Sequence, residues 1–570
     1  MRILLFTLVG AMMVLGMYFI GRLEVREVET AQFLPADTLI YVEQLDGVEA
    51  VSRFYDSPLG KALDSIDYEK VLASGGFPEQ VQSGARKVLL SLEALRNNRL
   101  VSHVLGEKCS VAFMPERIWS AQSDSLETFV KHHTLLISKP DLSNLSLAKL
   151  LSFYGGSYRN TPVSYGNHTI NRMVVEGNTV FLTLVESYVL ISFEERLLRE
   201  SLDVFDNQAA NLLSNSDFLA HRTQLSDVER FLYVSIDGLQ KLARYGASRS
   251  ADFKAKAVLH EMSALKGITS LAYGAWRDKD ISNDKILARI NRETMDVKVR
   301  EMISTRPSIN DTLSLVGDSV LLYYWSNTLN PRLLWNMFVT EAGENDADVE
   351  SIRFAIKNST GYEVEQIIGM VDSSVSILLK PSLRAQFIPI PDMALMIKLR
   401  DEDSINELIQ QSLSELDIHL QSRKYKNIDY YVWGIYDSES LQPVYTIYRG
   451  YLIIANTMDI LRAILNTPLN ESQLVAAKSF EKLDPGFQKL NNSVFYVDQA
   501  TMALHLREII SWLGTIIAVQ DQQAGAYSKV ITENLLNPIL QGLAMYEKSA
   551  TRTSLEGDMI VIESKTKIRE

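Results

Sequence analysis

Residues 187–202 read SYVLISFEERLLRESL, and residues 450–465 read GYLIIANTMDILRAIL. Each opens as a short β-branched and aromatic run, crosses polar turn residues, and continues with apolar residues at helical spacing. Leu197, Leu198 and Leu202 share one face of the first segment, and Ile460, Leu461, Ile464 and Leu465 share one face of the second. A strand followed by a short amphipathic helix is predicted in both. Tyr188 aligns with Tyr451, Leu198 with Leu461, Arg199 with Arg462 and Leu202 with Leu465, all at an offset of 263 residues.

Other segments repeat in the same order. FLYVS from Phe231 returns as VFYVD from Val494, again 263 residues on. TLLIS from Thr134 returns as ALMIK from Ala394, and Tyr165 and Asn167 as Tyr425 and Asn427, each 260 residues on. SVAFMP from Ser110 matches SILLKP from Ser376, and Asp37–Ile40 matches Asp318–Leu321. A preserved order with offsets that drift by loop-sized amounts points to tandem duplication. Copies are expected at 31–305 and 306–570, after a membrane anchor at 1–30, with the break near Arg306-Pro307.

LIYVE, SVAFM, TLLIS, TVFLTL, YVLIS and FLYVS read as strands bounded by turn residues. Strand runs separated by short turns, as in 173–192 and 428–455, favour antiparallel hairpins over βαβ crossovers. The expected class is α+β, with helices on one face of a mainly antiparallel sheet in each copy.

The 570 residues are 46% hydrophobic and 22% charged, a globular composition. Lys+Arg 57 against Asp+Glu 70 leaves a net charge of −13, which argues against a nucleic-acid partner. The single cysteine, Cys109, excludes an internal disulfide framework and a cysteine-rich zinc site. Ile3 to Ile20 carries no charge and as a helix would span about 27 Å, close to the bilayer core. Bulky Met17, Tyr18, Phe19 and Ile20 stand where signal cleavage wants small residues, so an uncleaved anchor is expected, marked by Ile3, Leu8, Val14 and Ile20. Arg2 on one side and Arg22 and Arg26 on the other give only a weak charge bias. Long domains translocate largely regardless of charge, which places the short end in the cytoplasm and the bulk in the periplasm. The next apolar stretch, Ile509 to Val519, reads as too short to span.

The anchor, the opening FLPADTLIYVEQLDG at Phe33–Gly47 and the recurring strand–turn–helix units together resemble a bacterial envelope family catalogued as domain of unknown function 3352. The second copy departs from that opening, with Gly317 before Asp318. The resemblance implies an envelope protein and carries no catalytic residues.

Candidate chemistry is sparse. His132 and His133 are adjacent, so strand geometry sends them to opposite faces; surface or interfacial roles are expected. No nucleophile elbow, phosphate loop or dinucleotide fingerprint occurs. Gly155-Gly156 reads as a turn, Cys109 as a half-buried strand residue, and Glu194-Glu195 as acids complementing a helix dipole. The run EAGENDADVE (341–350) lacks the central Gly and distal Glu of an EF-hand and reads as a solvated acidic loop. No catalytic, cofactor-binding or metal-binding residue is expected.

The segment around HLREIISWLGTIIAV is longer than its first-copy counterpart. It is read either as a core helix or as an interface helix with Ile509, Trp512, Leu513 and Ile516 facing a protein partner or lipid. Ile509, Leu513, Ile516 and Ile517 are expected as the packed stripe, with Trp512 at its edge. The leading functional expectation is a non-enzymatic scaffold or interaction protein of the inner membrane. A lipid or apolar-ligand carrier comes second, and a hydrolase of unrecognised type third.

Overall fold

The computed structural model describes residues 28–86, 89, 106–115, 132–140, 161–175, 178–206, 210–249, 265–343, 346–382, 389–415, 420–433, 442–469 and 472–569. The expected anchor, with Ile3, Leu8, Val14 and Ile20, lies outside the described residues, as does Gly155-Gly156. The chain forms two compact units. One comprises Met1–Leu39, Ser110–Ile137 and Asn144–Ala220; the other comprises Ile40–Cys109, Ser138–Ser143 and His221–Glu570.

In chain order the strands are β1 (Ile40–Leu45), β2 (Lys108–Phe113), β3 (Thr134–Lys139), β4 (Thr161–Tyr165), β5 (His168–Val175), β6 (Asn178–Val185) and β7 (Tyr188–Ser192). There follow β8 (Arg230–Ser235), β9 (Ile268–Asp278), β10 (Ile281–Ile290), β11 (Leu322–Ser326), β12 (Val371–Lys380), β13 (Asp392–Leu399) and β14 (Leu420–Tyr425). The last are β15 (Ile428–Trp433), β16 (Val444–Tyr448), β17 (Tyr451–Ala455), β18 (Ser493–Asp498), β19 (Tyr546–Glu556) and β20 (Met559–Ile568). The helices that matter below are α1 (Pro58–Asp64), α2 (Tyr68–Ser74), α3 (Glu195–Asp206), α4 (Ile236–Arg249), α5 (Met458–Asn466), α6 (Gln499–Gln520), α7 (Gln522–Ile531) and α8 (Asn537–Leu543).

In the first unit β4, β5, β6 and β7 form an antiparallel meander, with Tyr165 opposite His168 and Val185 opposite Tyr188. α3 follows and buries Leu197, Leu198 and Leu202, the face its spacing predicts.

The second unit holds one antiparallel sheet in the order β1-β8-β9-β10-β20-β19-β18-β11-β12-β13-β17-β16-β15-β14. Within it the quartets β1-β8-β9-β10 and β11-β18-β19-β20 have the same order. Tyr41 faces Tyr233 in the first and Tyr323 faces Tyr496 in the second. β14 to β17 likewise repeat the meander order of β4 to β7, with Tyr425 opposite Ile428 and Tyr448 opposite Tyr451. The quartets meet where β10 pairs with β20, Ile281 opposite Lys567 and Arg289 opposite Met559. The α+β class and the dominance of antiparallel pairing hold throughout.

One detail of the expected architecture needs correction. Helices do not keep to a single face of the second unit's sheet. On one side of β17, Tyr451, Ile453 and Ala455 pack with Ile460, Leu461 and Ile464 of α5. On the other side, Leu452 and Ile454 pack with Ile405, Leu408 and Ile409 of the Glu402–Glu415 helix. A strand covered on both faces has no polar side to show, which is why YLIIA reads as a continuous apolar run.

Candidate functional site

After β18 the chain enters α6, a helix of 22 residues and about 33 Å. Asp498 caps its start by accepting from the Thr501 amide at 2.9 Å. At its end the Asp521 amide donates to the Ile517 carbonyl, and the Asp521 side chain caps α7 through the Gln523 and Ala524 amides at 2.8 and 3.0 Å. One aspartate therefore closes one helix and opens the next. α6 and α7 pack closely because small residues meet: a Cβ on Gly525 would fall 2.5 Å from Ala518 Cα, and one on Gly514 would touch Ser528. A π-helical turn, Thr532–Leu536, leads into α8, whose Gly542 lies so close to α1 that a Cβ would sit 2.7 Å from that of Ala62. Tyr527 of α7 similarly lies against Gly76, just beyond α2. The segment α6–α8 is thus a helical module seated on α1 and α2.

α6 is apolar well beyond what this seating covers. Ala503 is its one buried residue. Leu504 is 58% exposed, Leu513 45%, Ile517 38% and Val519 84%. Ile509, Trp512 and Ile516 are half-buried. The expected stripe is therefore not the packed one, since Leu513 and Ile517 face outward. The reason is that α6 contacts α7 through Gly514 and Ala518 instead of lying flat on the sheet. The core-helix alternative is overturned by the same exposures. The expectation that the apolar stretch is too short to span is also corrected: Gln499–Gln520 is long and apolar enough to cross a membrane by length and composition. His505, Arg507 and Glu508 interrupt the apolar run in sequence without ending the helix.

The remaining candidates resolve into structural roles. His132 is partly exposed, its Nδ1 2.6 Å from Glu194 Oε1. His133 is buried, its Nδ1 2.9 Å from the Met114 carbonyl, and His221 is buried with Nε2 2.8 Å from Ser270 Oγ. These two histidines are interior, not superficial, because each ring finds a hydrogen-bond partner inside. Cys109 is buried rather than half-buried, and burial pushes its thiol up to about 11, away from thiolate chemistry. In the acidic run, Asp346 caps the Ala347–Thr360 helix and Glu350 pairs with Arg353 at 3.0 Å; Glu344 lies outside the described residues. No cluster of three metal-ligating side chains occurs among the described residues.

Sequence reasoning missed a buried charge cluster. Glu43 on β1 is 3% exposed; it accepts from Tyr41 Oη at 2.5 Å and Arg222 Nη2 at 2.7 Å, with Lys108 Nζ at 3.0 Å. Arg222 also lies over the Phe231 ring, 4.9 Å from its centroid. Burial pushes the Glu43 carboxyl up, but Arg222, Lys108 and the Tyr41 hydroxyl outweigh it and hold the group below its ordinary value. The signal was present in the period: Glu43 is two residues from Tyr41 and so on its buried face.

The chain matches the model of a family described as a protein of unknown function (DUF3352) over residues 101–559. The chain belongs to that family. No curated protein is significantly similar to it in sequence. Among solved structures, TP0453 in crystal form III is 8% identical, with half of this chain and 90% of that one covered at a TM-score of 0.24. Crystal form IV gives 10% identity, 46% and 81% coverage and a TM-score of 0.23, and crystal form I gives 9%, 50%, 88% and 0.24.

Proposed function

We propose that this DUF3352 protein is a non-enzymatic scaffold or interaction protein of the bacterial inner membrane, anchored by Ile3–Ile20 with its bulk in the periplasm. α6 is the surface it offers to a protein partner. The observation that carries this reading is a 22-residue apolar helix with only Ala503 buried. Burying apolar area is worth about 25 cal/mol per Å², so an apolar helix left in water is a standing drive to association. The chain's two halves are two tandem copies, 31–305 and 306–570; the shared strand orders support that duplication. The second copy carries the longer helical segment.

Site-specific photo-crosslinking in intact cells tests the reading. Crosslinkers at Leu513 and Ile517 should give one discrete protein adduct, which Val519→Asp weakens and which a crosslinker at exposed Lys424 does not give. Adducts with lipid alone, or none at α6, would overturn it.

A further inference from the structure

The second unit contains an open cleft of about 570 Å³, within the usual range for small-molecule sites. Four stretches far apart in sequence line it: residues around α1, the end of β9, α8 with the start of β19, and the end of β20. Its charge contrasts with the acidic chain around it. Lys61, Arg277 and Arg569 line the cleft, and none of their side chains has a carboxylate partner among the described residues; Arg277 Nε donates to the Lys279 carbonyl, while its backbone amide donates to Glu229 Oε1 at 3.2 Å. Arg53, also in the lining, is occupied by Glu229 at 3.2 Å. Asp56 is the one carboxylate in the wall. Between the cations the wall is partly apolar, with Ala62, Met545 and Ile568, and partly polar, with Ser57, Ser65 and Gln541.

Unpaired cations around an apolar wall suit a ligand with an anionic head and a hydrocarbon part. We infer that the cleft binds an anionic amphiphile, its phosphate or carboxylate head held by Lys61, Arg277 and Arg569 and its apolar portion laid on Ala62, Met545 and Ile568. The arginine forks match a phosphate or carboxylate bidentately, and lysine adds a point charge. An acidic peptide fits less well, because an extended polar chain would leave the apolar surface of Ala62, Met545 and Ile568 in water. This site does not depend on what α6 meets, since the exposed Leu513, Ile517 and Val519 are not in its lining.

Calorimetric titration of the full chain in a non-ionic detergent tests it, with dihexanoyl phosphatidic acid, dihexanoyl phosphatidylcholine, inorganic phosphate and hexaglutamate as probes. Phosphatidic acid should bind saturably and about tenfold tighter than each of the others. The Lys61→Glu/Arg277→Glu/Arg569→Glu triple variant should lose about tenfold or more of that affinity, and Lys61→Gln a smaller part of it. These side chains are exposed, so both variants should keep the wild-type melting temperature, which separates lost binding from lost folding. Equal binding of phosphatidylcholine would reduce the effect to apolar adsorption and overturn the inference. Inorganic phosphate binding as tightly as phosphatidic acid would overturn the amphiphile in favour of a plain anion. Preference for hexaglutamate would assign the cleft to an acidic protein segment, and an unaffected triple variant would also overturn the inference. The α6 crosslinks would stand in each case.

Discussion

The quartets β1-β8-β9-β10 and β11-β18-β19-β20 place the same backbone around different chemistry. Ladder partners make Tyr41 equivalent to Tyr323 and therefore Glu43 to Trp325. In the first quartet the interior position is a carboxylate held by Arg222, Lys108 and Tyr41. In the second it is an indole, buried, with its Nε1 donating to Ser374 Oγ at 2.9 Å. The strand tolerates either solution because the central group is satisfied in both: the Glu43 charge is compensated and the Trp325 ring N–H is bonded. They differ in how they fail. An apolar site loses contacts when truncated, whereas a charged site strands its partners.

At the joint between the quartets the contrast is sharper. Lys285 on β10 lies directly opposite Glu563 on β20, midway along a ladder in which Ile281 meets Lys567 and Arg289 meets Met559. Equivalent strands thus meet antiparallel about a local two-fold, the arrangement of an isologous contact. Identical copies would put like charges at its centre. Here Lys285 Nζ is 3.1 Å from Glu563, which Arg552 also binds through Nε at 2.7 Å. The opposite charges make this centre attractive where two identical strands would repel.

The largest effect is expected at Glu43. Glu43→Ala leaves the half-buried Arg222 and Lys108 without their counter-charge and should cost about 3 kcal/mol in denaturant unfolding. A cost below about 1 kcal/mol would erase the distinction drawn from Trp325. Glu43→Met combined with Arg222→Met should cost less than Glu43→Ala alone, since an apolar replacement of both partners is often neutral. An additive double mutant would break that argument. At the joint, Glu563→Gln should cost about 1.5–3 kcal/mol, in line with hydrogen bonds to charged groups. If Lys285→Gln costs as much, Arg552 is not the main partner.

Acid should expose the first quartet selectively. The folded Glu43 carboxyl titrates below its ordinary value, so its contribution is complete above the unfolded glutamate range of about 4.3 and is lost as pH falls from there through the lower folded value. The stability difference between wild type and Glu43→Gln should shrink over that acid limb and stay flat at neutral pH; a difference that instead grew on acidification would reverse the assignment. The smallest effect on stability is expected at Trp512, in the 22-residue helix that follows β18 where the 14-residue α4 follows β8. Trp512→Ala should move unfolding by under about 0.5 kcal/mol while weakening partner recovery by about 1–3 kcal/mol. Loss of stability with intact recovery would make it a packing residue.

What could be read from the sequence was what repeats locally. α3 and α5 bury the leucines and isoleucines that their spacing marks, and the strands before Tyr188 and Tyr451 pair with those that follow as antiparallel hairpins. The length of α6 was missed because His505, Arg507 and Glu508 look like a boundary in a linear scan, although a helix carries them on its surface. Glu43 was missed because a carboxylate in a strand is ordinarily solvent-facing, and its partner Arg222 is 179 residues away. The cleft has no linear signature at all, since Lys61, Arg277 and Arg569 meet only through the sheet.

The place of β20 also sets a timetable. It is the last described strand in the chain, yet it sits in the interior of the sheet, between β10 and β19. At synthesis rates of about 5–20 residues per second, β10 waits for tens of seconds before its neighbour exists. During that wait its unpaired edge is open to any other extended chain. The first half of β10 contains Ser282-Asn283-Asp284-Lys285, a polar and charged stretch ill suited to accidental pairing. The residues that later welcome Glu563 thus serve first as a guard on a nascent edge.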